Sequence, residues 1–234
     1  MVSDKRYVNA GGTLRLPPYR FGLAISGSGQ PQWHAIDLQA YGPLLVDAAA
    51  RGASVDTFSV CGNRSSYLRR AGQFTYGRTL LAQDRCERCG WVVALDRGTV
   101  EQEIDLYTAD AGGADHGVLR QIFTAILADL PPGAAAQSGH RSDLLAHAAR
   151  HRPSLMVCEQ CVRGAECSEV HGPGIIACPE AVLVCWACTF TAGTWGGDQR
   201  GMPTGECVVG APCSVLAALA HHYDIALEVP WGSR

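Results

Sequence analysis

Eleven cysteines stand at 61, 86, 89, 158, 161, 167, 178, 185, 188, 207 and 213 of a 234-residue chain. Six of them form three Cys-x-x-Cys pairs: Cys86/Cys89, Cys158/Cys161 and Cys185/Cys188. A thiolate is a soft ligand, and four at short loop spacings make a closed tetrahedral cage for Zn²⁺. The odd count and the absence of an apolar leader in MVSDKRYVNAGG speak against a disulfide framework and for a reducing compartment, the cytoplasm. No apolar run is long enough to span a bilayer.

A short hook occurs twice, CVRGAECS at 161–168 and CVVGAPCS at 207–214. If each copy is used alike, each joins a Cys-x-x-Cys pair. Cys185, Cys188, Cys207 and Cys213 then hold one ion, and Cys86, Cys89, Cys161 and Cys167 hold another. The longer gap of the second set adds only about 1.2 kcal/mol of closure entropy, against roughly 10–16 kcal/mol from a structural zinc site. A third site takes Cys158 and Cys178, completed by His171 or Cys61. In a rival partition Cys158, Cys161, Cys167 and Cys178 form one local site, leaving Cys86 and Cys89 to join Cys61 or a histidine. Either way the expected cofactor is zinc, two or three ions per chain. Cys61, in the apolar TFSVC, also reads as a buried thiol.

The histidines are less distinctive. His147 and His151 share one helical face and could complete a mixed site with two cysteines, but Arg141, Arg150 and Arg152 around them read as a solvated polar face. His221-His222 falls where a helix C-terminus favours histidine anyway.

The four-cysteine pattern resembles zinc-ribbon proteins, which would imply structural zinc in a non-catalytic module. CEQCVRGAEC at 158–167, with GTWGG at 193–197, resembles the WhiB-like regulators of actinobacteria, which would imply an iron–sulfur cluster and a redox-sensing transcription regulator. That resemblance stays within about 158–200, and no cysteine lies between 90 and 157 to supply the family's first ligand.

The elements that position these residues point to an α+β fold. RFGLAIS (20–26) and SVDTFSV (54–60) read as strands, and residues 37–50 as a helix starting near Asp37. WVVAL after Cys89-Gly90 reads as a strand leaving a zinc knuckle whose glycine permits positive φ. A short acidic helix is expected over 99–107, a strongly periodic one over 116–130, another from Ser142 to His151, and a last one directly after Cys213. The expected organisation is an N-terminal part (1–110), a helical insert (111–155) and a cysteine-rich part (156–234), tied into one body by metal.

Net charge is −3, so the whole molecule is no glove for nucleic acid. NRSSYLRRAGQFTYGR (63–78) nevertheless offers Arg64, Arg69, Arg70 and Arg78 for phosphates, with Tyr67 and Tyr76 to stack on bases. The expected role is a non-catalytic module for nucleic acid or a protein partner. An enzyme would need different signals: no His-Glu-x-x-His, deaminase, Gly-x-Ser-x-Gly or P-loop pattern occurs, and Cys61 is the best candidate nucleophile.

Overall fold

The computed structural model describes residues 20–26, 32–51, 56–67, 85–108, 117–129, 138–190 and 207–227. The fold mixes helices with small antiparallel sheets and divides into two compact units. One comprises Met1–Glu103 with Ala136–Asp143, the other Ile104–Ala135 with Leu144–Arg234.

In the first unit β1 (Phe21–Ser26), β2 (Trp33–Asp37), β3 (Asp56–Phe58) and β4 (Arg64–Tyr67) form one antiparallel sheet in the order β2-β1-β4-β3. Leu23 faces Ala35 and Ala24 faces His34 across the β1–β2 ladder. Asp37 ends β2 and caps α1 (Leu38–Ala50), its Oδ1 accepting the Gln39 N–H at 2.9 Å.

The expected strand at WVVAL is instead part of helix α2 (Glu87–Arg97). A short apolar run cannot be told from a buried helix segment by periodicity. Here the ends decide: Cys86 is the N-cap, Glu87 and Arg97 suit the helix dipole, and Gly98 closes the helix at φ 69°. Nor does Gly90 take positive φ; it lies inside α2 and is needed for space. A Cβ there would meet Glu103 Oε1 at 2.3 Å, beside the buried Arg85–Glu103 ion pair at 3.5 Å.

Helices α3 (Val100–Thr108) and α5 (Ser138–Arg150) contribute residues to both units. The second unit is otherwise built from α4 (Gly117–Ala128), the β5 (Pro153–Met156) and β6 (Val182–Cys185) ladder, the short helices α6 (Glu159–Val162) and α7 (Cys167–His171), and α8 (Ser214–His222). Leu119, Ile122, Phe123 and Ile126 line the buried stripe of α4, which packs on α8. Helix α5 starts at Ser138, four residues before the expected Ser142; the Ser142 hydroxyl donates back to the Gly139 carbonyl at 2.9 Å inside the helix. Among the described residues no helix is long and apolar enough to cross a membrane.

Candidate metal centres

Three quartets of donors converge: His34, Cys61, Cys86 and Cys89; His151, Cys185, Cys188 and Cys213; and Cys158, Cys161, His171 and Cys178. Within each, the ligand atoms lie within 4.8 Å of one another. Each set falls within one unit.

The His34 site hangs on backbone pairing to β2. The carbonyls flanking His34 each accept one hydrogen bond, that of Trp33 from the Cys86 N–H (3.0 Å) and that of Ala35 from the Val60 N–H (2.8 Å). These two bonds set Cys86 and the Cys61 turn on either side of the imidazole. The turn closes through the Gly62 N–H to the Ser59 carbonyl (2.8 Å), with Gly62 at φ 86°. Cys89 follows Cys86 by one turn of α2. His34 Nδ1 is 3.3 Å from Cys61 Sγ and 3.6 Å from Cys89 Sγ. All four residues are buried, and the three cysteines join Phe21, Ala35 and Val93 in the core.

In the His151 site the β5–β6 register pairs Pro153 with Cys185, which brings the end of α5 beside β6. The strip 207–211 runs along the other side of β6, with the Cys185 N–H donating to the Val209 carbonyl at 2.8 Å, and delivers Cys213 as N-cap of α8. His151 Nδ1 stands 3.5, 3.4 and 3.6 Å from the sulfurs of Cys185, Cys188 and Cys213.

In the His171 site Cys158 is the N-cap of α6, Cys161 lies one turn on, and His171 ends α7. His171 Nε2 is 3.4, 3.5 and 3.4 Å from the sulfurs of Cys158, Cys161 and Cys178. Its Nδ1 lies 4.0 Å from Glu180 Oε1, so a carboxylate faces the nitrogen that points away from the sulfurs.

One imidazole lone pair accepts one hydrogen bond, yet in two of the sites a single nitrogen is equidistant from three sulfurs. That geometry is a vertex of a tetrahedron. An ion with M–S of about 2.3 Å and M–N of about 2.05 Å has S···N edges of about 3.6 Å, against the observed range of 3.3 to 3.6 Å. Cys86, Cys158 and Cys213 are all helix N-caps without a side-chain capping bond. Their sulfurs turn toward the quartets.

Electrostatics differ between sites. Burial pulls the His34 imidazole down, but hydrogen bonds to Cys61 and Cys86 outweigh it and raise it to about 9. Contacts from Cys86 and Cys89 hold the Cys61 thiol well below its ordinary value, while burial raises Cys89. Burial, then His147 and Arg150, lowers His151, which keeps its nitrogen neutral for ligation; burial pushes Cys185 up to about 12.

The groupings expected from the repeated hook are rearranged, and the rival partition lies closer: Cys158, Cys161 and Cys178 share one site with His171 in place of Cys167, and Cys86 and Cys89 join both Cys61 and a histidine. Cys86 and Cys89 meet His34 and Cys61, not Cys161 and Cys167. Cys185, Cys188 and Cys213 meet His151 in place of Cys207. Cys158, Cys178 and His171 come together as expected of the third site, with Cys161 as fourth member and Cys167 outside. The two hooks are therefore not used alike: the first contributes its leading cysteine, the second its trailing one. His151 is buried rather than on a solvated face, and the His147 ring meets it edge-on with centroids 4.8 Å apart. His34 had no sequence signal beyond an apolar strand, WHAID, with a histidine at a core position. Cys61, the candidate nucleophile, is a buried member of a quartet. Of the candidate nucleic-acid residues, Arg64 and Tyr67 lie on β4, whereas Arg69, Arg70, Tyr76 and Arg78 fall outside the described residues, as does GTWGG.

Searched against protein-family models, curated proteins and solved structures, the chain matches none.

Proposed function

We propose that this chain is a structural-zinc protein holding three Zn²⁺ ions, each bound by three cysteines and one histidine, and that it serves as a regulatory module engaging a protein partner. The observation that carries the reading is the closure of all three quartets. Four protein donors fill a tetrahedral ion, so no position remains for water or substrate, and the ion acts on stability rather than on chemistry. The spacing favours single ions over a four-iron cluster, in which each cysteine binds a different iron and the sulfurs stand farther apart.

A protein partner suits the loops that carry two of the sites. Val162, Ile176 and Phe190 expose large apolar side chains there. Between Met156 and Phe190 the charged residues are Glu159, Glu166, Glu169 and Glu180 against the single Arg163, a balance that repels phosphate.

Metal analysis with an absorption spectrum tests the zinc reading: three zinc per chain without visible colour is expected, and a brown protein with iron would sink it in favour of an iron–sulfur regulator. A gel shift on single- and double-stranded nucleic acid at low and high salt tests the partner. No shift is expected; a salt-sensitive shift would return weight to the basic segment 64–78.

A further inference from the structure

Nine of the eleven cysteines enter quartets, and the two left over, Cys167 and Cys207, are the hook positions the sites leave out. They are not equivalent. Cys167 Sγ lies 3.5 Å from Cys161 Sγ, a member of the His171 quartet, and both residues are partly exposed. Its counterpart in the second hook, Cys213, is itself a quartet member. The His171 site thus has five donors for four positions, a fifth thiol touching one of the four.

We infer that the His171 centre is an oxidation-gated metal site, in which a peroxide joins Cys167 to Cys161 and the ion is released; this rests on the three-zinc reading above. The Cys167 sulfur attacks one peroxide oxygen, breaks the O–O bond and becomes a sulfenic acid, and the other oxygen leaves as water. The Cys161 sulfur then attacks the Cys167 sulfur. An S–S bond forms, the S–O bond breaks, and hydroxide leaves to take up a proton as water. Overall two thiols lose two electrons and the peroxide gains them, giving two waters. The sulfurs need to close from 3.5 Å to about 2.0 Å. They are six residues apart on a segment whose helices α6 and α7 bury no side chain, so little packing resists the movement. Cys158, His171 and Cys178 remain, one donor short of a closed tetrahedron. Cys207 is not grouped with the His151 quartet, and the His34 quartet is buried throughout.

The test uses the full zinc-loaded chain. Its metal content is counted first, and fewer than three zinc at that point refutes the zinc reading itself. Hydrogen peroxide is then added in a few equivalents, zinc release is followed with a chromogenic chelator, and remaining thiols are alkylated. Cleavage after Glu159, Arg163, Glu166 and Glu169 isolates the link as residues 160–163 joined to 167–169. One ion released per chain together with that linked peptide is expected. Cys167→Ser should bind three zinc and release the ion at least tenfold more slowly, while Cys207→Ser should release it as the wild type does. Release without the 161–167 link, equal release from Cys167→Ser, or a Cys167→Ser protein that holds only two zinc would each overturn the inference. The wild-type peptide map decides even if the variant fails to fold.

Discussion

The His34 and His171 sites share a donor set and differ in everything around it. At His34 the sulfurs sit in an apolar core beside Phe21, Ala35 and Val93, and the positions are fixed by a sheet edge and an eleven-residue helix. At His171 two donors, Cys161 and His171, lie in helices of four and five residues that bury no side chain, Cys158 caps the first of them, and Cys178 follows outside both helices. An ion at His34 would be set into a core; an ion at His171 would be the core of its segment. The first should therefore be hard to reach and costly to lose, the second easy to reach and local in its consequences.

The largest expected effect comes from Cys89→Ser, which places a hydroxyl in a fully buried position and opens the quartet. A structural zinc site contributes about 10 kcal/mol or more, comparable with the ~5–15 kcal/mol net stability of a whole domain. Loss of cooperative thermal unfolding of the first unit, followed by circular dichroism, is expected; a melt within a few degrees of wild type would remove the His34 ion from the account.

Chelation sharpens the comparison next. Under limiting EDTA one zinc should leave well before the other two. Hydrogen exchange should then rise over residues 157–181 while α2 and β2 stay protected. Simultaneous loss of all three ions would erase the distinction between the sites.

Gly90→Ala probes the packing around the His34 site without touching a ligand. Its Cβ would lie 2.3 Å from Glu103 Oε1, and Glu103 is itself fully buried. Overpacking of this kind costs about 1–3 kcal/mol, so a lowered melting temperature with all three zinc retained is expected. An unchanged melt would mean that the Arg85–Glu103 pair yields freely.

The smallest effect should be that of Cys207→Ser, with three zinc retained and stability changed by less than about 0.5 kcal/mol. A lost ion would restore the equivalent use of the two hooks.

Much of this was readable in the chain and some was not. Cysteine density and the three Cys-x-x-Cys pairs announce metal because such spacing puts two sulfurs one turn apart whatever the fold. The third site was nearly legible because its donors, Cys158 to Cys178, are local. His171 was named with it, but the roles of His34 and His151 were not legible. His34 reaches its quartet through backbone bonds that the Trp33 and Ala35 carbonyls accept from Cys86 and Val60, far away in sequence, and His151 through a strand register that pairs Pro153 with Cys185. Strand pairing leaves no local spacing to read. The hook repeat misled for a related reason: identical residues imply similar local turns, but the neighbours that complete a tetrahedron are set by the sheet. The helix at WVVAL was hidden because its run of apolar residues fits either period, and its ends carry the decision.

X-ray absorption at the zinc edge, with metal counted on the same sample, tests the central claim most directly. Three zinc per chain with an average shell of three sulfurs at about 2.3 Å and one nitrogen at about 2.05 Å is the predicted result. Two zinc per chain in an all-sulfur shell would contradict it and restore the four-cysteine sites of the repeated hooks.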